Sequence, residues 1–334
     1  MPAMQPTREQ TAFFKHLKDK LPSHISLVDE VSDLLNISID SAYRRIRGEN
    51  TLRFDEIQLL AKHYSVSLDQ FLGLRPDAIM FSGNFVNESK FDFDSYLKGI
   101  VQKLVQINSG SQKEISYFNK DIPIFHHFMF PELAAFKCYF WCRYNLNHPV
   151  YNKGQFLIND FVEIFNKTGK SIADLYLQIP STEIWNVDCI NTTIMQIDYY
   201  RECKVFRSDD DIRTIYECLE KLVDHIEQQV EAGCKFPFKQ PQKKSNARYK
   251  FFVNEFVLGD NTVLIHVDGQ KAAIVAHSVI NFMETTDPKF VAYISDTFDT
   301  LIKKSKLVSE IGEKDRQLFF ETMRQRIHDK KKLI

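Results

Sequence analysis

A chain of 334 residues, 44% hydrophobic and 13% aromatic, can bury cores for two or three domains, which excludes disorder as its default state. A net charge of −1 excludes a non-specific nucleic-acid coat. The sequence holds no uncharged apolar run of the roughly eighteen residues that a membrane helix needs, and Met1 to Pro22 has no apolar signal core. A soluble, unexported, cytoplasmic protein without a membrane partner is therefore expected.

In chain order, Phe13, Phe14 and Leu17 predict an opening helix over 11–21, ended by Pro22. Val31, Leu34 and Leu35 then give one apolar face at helical spacing, which halts at Asn36, a residue that tolerates the left-handed conformation of a tight turn. Ser38 and Ser41 offer an N-cap for a short second helix. Ala42 and Ile46 face inward there, while Asp40, Tyr43, Arg44 and Arg47 point away. Gly48 stops this helix, and Phe54, Ile57, Leu60 and Ala61 supply the inward face of a third.

Two helices joined by a tight turn, the second presenting arginines and short polar groups, have the shape that enters a DNA major groove. Arg can hold guanine O6 and N7 with two hydrogen bonds. The segment from Ser38, read S-x-D-S-A-Y-R-R-I-R-G-E, resembles the helix-turn-helix of the Cro/CI-type (XRE-like) regulator family. That resemblance covers about fifty residues and places Ser32 at the small-residue position of the first helix and Asn36 where the family usually has glycine. It implies base-edge and backbone contacts from Ser38, Ile39, Asp40, Ser41, Tyr43, Arg44, Arg45 and Arg47, with double-stranded DNA as the partner.

Residues 1–75 carry ten Lys and Arg against ten Asp and Glu, so one module should bind DNA weakly and a homodimer is expected. Gly73 to Pro76 and Ser82 to Asn84 break the helical pattern and mark the end of a 1–75 domain. A linker with a connecting helix over 94–107 fills 76–110, and 111–334 reads as an α+β sensor or dimerisation region. Its first pieces, Ile115 to Phe118 and Ile122 to Phe125, look extended. Pro131 opens a helix to about Tyr144 that is apolar on nearly all sides and must be buried.

Further on, apolar residues run from Phe156 to Phe165 and stop at Thr168-Gly169-Lys170. The segment 172–179 alternates partly, and strand and helix both remain open for it. Helices follow over 187–203 and 209–230. The second is capped by Ser208, and its continuous apolar stripe fits either a core or, like 97–107, a dimer seam. A polar connection spans 233–247. Then 249–258, 262–267 and 271–277 form three candidate strands of an antiparallel meander, with Asp268-Gly269 as a hairpin turn. Asp287-Pro288 opens a helix to about Lys304, and a last helix runs over 314–327 with the stripe Leu318, Phe319, Met323 and Ile327.

No phosphate loop, nucleophile elbow, HExxH or paired-cysteine motif occurs, so an enzyme is not expected, nor is a cofactor or metal site. Cys138 and Cys142, near His126, His127 and His148, read as buried thiols of an aromatic core; His266 and His277 could meet across a sheet. The fold class is therefore α+β: an all-α helix-turn-helix domain, a larger helical region, and a C-terminal antiparallel meander with flanking helices. The leading function is a sequence-specific DNA-binding transcriptional regulator whose C-terminal region senses a small-molecule effector, dimerises, or both. A protein-interaction module of antitoxin or assembly-factor type is the alternative, predicting that the arginines are buried in a partner or paired with acids of the chain itself; an enzyme in the C-terminal region is the third.

Overall fold

The computed structural model describes residues 8–19, 21, 25–64, 66–74, 77–83, 91–152, 154–240, 247–256, 259, 261–276 and 280–334. They divide into two compact units, 1–80 and 81–334.

The first unit is all helical: α1 (Arg8–Asp19), α2 (Leu27–Leu35), α3 (Ile39–Ile46), α4 (Phe54–His63) and α5 (Leu68–Phe71). Its core joins Phe13, Phe14 and Leu17 of α1 to Leu27, Val31, Ala42, Leu60 and Val66. Ser26 caps α2, and Asn36 ends it at φ 51°, ψ 52°, the left-handed conformation a sharp exit requires. Ser32 donates to the Ile37 carbonyl at 2.7 Å, so the small residue of α2 stitches the turn from inside. One inward position differs from the sequence pattern. Phe54 is 80% exposed, because Glu56 takes the buried side of the first turn of α4 and Leu52 packs on the core ahead of it.

The second unit is built on one eight-stranded mixed sheet. Its strands are β1 (Ser82–Gly83), β2 (Lys113–Asn119), β3 (Ser181–Trp185), β4 (Tyr249–Val253), β5 (Thr262–Val267), β6 (Gln270–Ala276), β7 (Phe282–Thr285) and β8 (Lys306–Leu307), in the order β1-β7-β6-β5-β2-β3-β4-β8. β2, β3 and β4 run parallel, in the register Ile115↔Ser181 and Ser181↔Tyr249. The other neighbours pair antiparallel. The fold is α+β as expected, but the meander is β5-β6-β7, and β4 lies on the far side of β3 rather than beside β5. The β5–β6 hairpin turns at Asp268 (φ 47°) and Gly269 (φ 85°), the two positive angles a tight hairpin demands. His266 opposes Lys271, and His277 lies outside the described residues, as do residues 241–246 of the connection.

Strand alternation sorts the two faces. Phe118, Ile184, Phe252 and Leu264 meet α13 (Pro288–Lys303) through Val291, Ile294 and Phe298, while Ile115, Tyr117, Trp185, Tyr249, Phe251 and Ile265 face the large helical layer. That layer contains α6 (Phe93–Ser109), α7 (Ile124–His127), α8 (Pro131–Phe140), α9 (Val162–Ile164), α10 (Lys170–Tyr176), α11 (Asn191–Glu202), α12 (Asp209–Ala232) and α14 (Glu313–Lys331). Of the piece expected to be extended at 122–125, Ile124 and Phe125 instead open the helix α7 behind the N-cap Pro123.

Nor does Gly169 end a helix. A π-helical turn, Phe165–Gly169, runs straight into α10, so 172–179 is helical up to Tyr176, and Gly169 is small because a Cβ there would lie 3.1 Å from the Phe128 ring. Both candidate seams are buried within the chain: Leu97, Leu104 and Ile107 of α6, and Ile212 to Val230 of α12, belong to the main core. Leu318 of α14 is exposed, and Phe320 takes its place in the core.

Candidate nucleic-acid interface

Helix α3 is positioned by what surrounds it. Ser38 caps it, accepting from the Ser41 amide at 3.3 Å while its own hydroxyl donates to Ser41 Oγ at 2.9 Å. Ala42 is fully buried against the core. Gln10 of α1 clamps the far end: its amide nitrogen donates to the Arg45 and Asn50 carbonyls at 2.7 and 2.8 Å, and its oxygen accepts from the Leu52 amide at 3.0 Å. Gln10 was not singled out from the sequence, since its three bonds each span at least 35 residues.

The outward face carries Ile39 (55% exposed), Asp40, Tyr43 (43% exposed), Arg44 and Arg47. Arg44 pairs with Asp40 one turn earlier at 3.0 Å, and Arg47 with Glu49 at 3.4 Å while its guanidinium lies 5.5 Å from the Tyr43 ring centroid. Ser38 and Ser41 spend their hydroxyls on the cap. Arg45 turns the other way. Its Nε and Nη2 hold both carboxylate oxygens of Glu56 at 3.1 and 2.9 Å, a two-pronged pair of mostly buried side chains. Glu56 also accepts from the Arg53 amide at 2.9 Å, which fixes the start of α4. Burial would raise the Glu56 pKa, but Arg45 and the Arg53 amide outweigh it and hold it below the usual carboxylate range. Seven of the eight expected contact residues thus lie on or at the cap of one helix face, and Arg45 ties that helix to α4.

In the second unit the densest polar cluster surrounds Glu183 of β3, which is fully buried. The hydroxyl of Tyr176, Trp185 Nε1 (2.7 Å) and the Tyr249 hydroxyl (3.0 Å) donate to its carboxylate, and His126 Nε2 lies 3.2 Å away. Burial disfavours the charge, yet His126, Tyr176 and Lys235 bring the pKa down to about 2. Lys235 is buried as well, donating to the Tyr176 carbonyl at 2.9 Å, and burial brings its pKa down to about 7. Lys137 spends its three protons on Asp121 (3.2 Å), Thr193 (3.1 Å) and Gln196 (2.8 Å). Among the described residues, Glu183 and Lys137 are each satisfied from within the chain, whereas Lys235 makes one hydrogen bond, and His126 Nδ1, both ring nitrogens of His127 and the side-chain amide of Asn119 are buried without a partner. Glu183 escaped sequence reading because a lone acid in Ser-Thr-Glu-Ile-Trp looks like a surface residue.

Cys138 and Cys142 are buried thiols whose pKa burial pushes up, that of Cys142 to about 12. They line a slot of about 20 Å³ with Phe161 and Phe165, room for about one water and not for an effector. Among the described residues, no three His, Cys, Asp or Glu side chains could share a metal ion.

Compared with protein-family models, with curated proteins and with solved structures, the chain finds no match in any of the three.

Proposed function

We propose that the chain is a sequence-specific DNA-binding regulator that reads a major groove with the Ile39–Arg47 face of α3. One observation carries the reading: a capped, clamped helix, set by a left-handed Asn36 turn behind α2, presents Arg44, Arg47, Asp40, Tyr43 and Ile39 together to solvent. Such a face offers bidentate donors for guanine, a carboxylate for a cytosine amine, and an apolar group for a thymine methyl. A second copy supplies the second half-site, since ten positive against ten negative residues in 1–75 give one module little counterion release.

The interaction-module reading also has an observation in its favour, because Arg44, Arg45 and Arg47 each face an acid of the same chain. The Arg44 and Arg47 pairs are largely exposed, and such pairs contribute about 0–1 kcal/mol, little enough to exchange for a phosphate or a base edge. The deciding experiment incubates the purified chain with random duplex DNA and sequences what it retains. A recurrent motif supports the proposal; no enrichment above input overturns it in favour of a protein partner.

A further inference from the structure

We propose that Asp40 is a positioning residue of the DNA face: it fixes Arg44 through Nε and leaves the two terminal nitrogens to read one guanine. This rests on the DNA-binding reading and names what that face selects, a duplex with a guanine under Arg44. The two outward arginines are braced by different atoms. Arg44 offers Nε to Asp40 Oδ2 at 3.0 Å, and among the described residues its Nη1 and Nη2 take no partner. Arg47 instead spends Nη1 on Glu49 at 3.4 Å, with its guanidinium 5.5 Å from the Tyr43 ring centroid. Guanine O6 and N7 accept two hydrogen bonds from one guanidinium edge. Arg44 can make both with Nη1 and Nη2 while it keeps Asp40, whereas Arg47 must give up Glu49 to use the same edge.

Asp40 and Arg44 lie one turn apart on α3 with the acid nearer the N-terminus, the favoured order for such a pair. Both side chains are largely exposed, so the pair adds little to stability. Its effect is on the unbound arginine. A free arginine loses its rotamer freedom when it meets a base, and one already held in line loses less. The helix beneath is fixed too, by the Ser38 cap at one end and by Gln10 on the Arg45 carbonyl at the other. As an acid in the first turn, Asp40 also suits the helix dipole, but that acts on every duplex alike. A carboxylate on this face otherwise works against DNA, since it brings negative charge toward phosphates. Asp40 therefore has two effects of opposite sign: repulsion of any duplex, and selectivity for the one that places guanine at Arg44.

The test takes the duplex that the full chain retains from a random pool. Fluorescence anisotropy at one salt concentration then measures binding to it, to its single-base variants and to an unrelated duplex. The parent should show one guanine whose replacement weakens binding about tenfold or more, a preference that Arg44→Ala abolishes. Asp40→Ala should cut that same preference about threefold or more and spare the other positions, while the unrelated duplex binds equally or more tightly. In a chain already carrying Arg44→Ala, Asp40→Ala should change no preference. Asp40→Glu, which keeps the carboxylate, should retain most of it. An Asp40→Ala chain that loses a preference even without Arg44 overturns the proposal, because the carboxylate then contacts a base of its own. A parent that retains no motif overturns the DNA reading and this proposal together, whereas a motif that parent and Asp40→Ala read equally overturns this one alone.

Discussion

Arg44 and Arg45 are sequence neighbours with opposite surroundings, and their substitutions should separate function from stability. Arg44→Ala removes an exposed side chain, so thermal stability should stay within about 0.5 kcal/mol while specific DNA binding loses roughly 1–3 kcal/mol. Arg45→Ala leaves Glu56 half-satisfied in a mostly buried site and should cost about 2 kcal/mol of stability. Thermal unfolding and gel-shift titration of both variants check this; equal melting temperatures would mean that the Arg45–Glu56 pair is not formed. Titration adds a second residue-level expectation. Burial holds His225 neutral, with its pKa brought down to about 4, its Nε2 donating to the Phe236 carbonyl at 2.9 Å, and His127 is shifted the same way. The folded state therefore binds fewer protons than the unfolded state between pH 6.5 and 4, and stability falls as pH falls through that window. His225 alone accounts for on the order of 3 kcal/mol. Melting temperature measured from pH 7 to pH 4 should drop, and less steeply for His225→Gln.

At the scale of elements, the turn between α2 and α3 rests on Asn36 at φ 51°. Asn36→Gly should leave stability nearly unchanged, whereas Asn36→Val, β-branched in a left-handed conformation, should lose on the order of 2 kcal/mol by chemical denaturation. Local signals of this kind are why the small domain and the β5–β6 hairpin were legible: Asn36, Ser38, Gly48 and Asp268-Gly269 act within four residues of themselves. The parallel strands were not. β3 is buried on both faces and carries Ser, Thr and Glu inside, so it shows no alternation. β4 looked like one arm of a meander, but its register is set by β3, more than sixty residues away. Phe54 misled because its helix phase depends on the Arg45–Glu56 pair, which the apolar pattern does not contain. Of the interface, the outward helix face was readable, while the inward turn of Arg45 and the Gln10 clamp needed the tertiary structure.

For the whole molecule, residues 1–80 have a core of their own and should fold alone into an all-helical domain, detectable by circular dichroism. What that fragment should lack is affinity. On the DNA-binding reading, a lone module with ten positive against ten negative residues gains little from counterion release, whereas a second copy bound at a half-site about 34–36 Å away would make the second contact effectively intramolecular. Fluorescence anisotropy on a selected operator should therefore show the full chain binding at least about a hundredfold more tightly than 1–80. The slope of log affinity against log salt should be close to twice that of a single half-site, because two sets of phosphates are neutralised. Equal affinities for fragment and full chain would show that one module suffices and that the second unit serves another purpose.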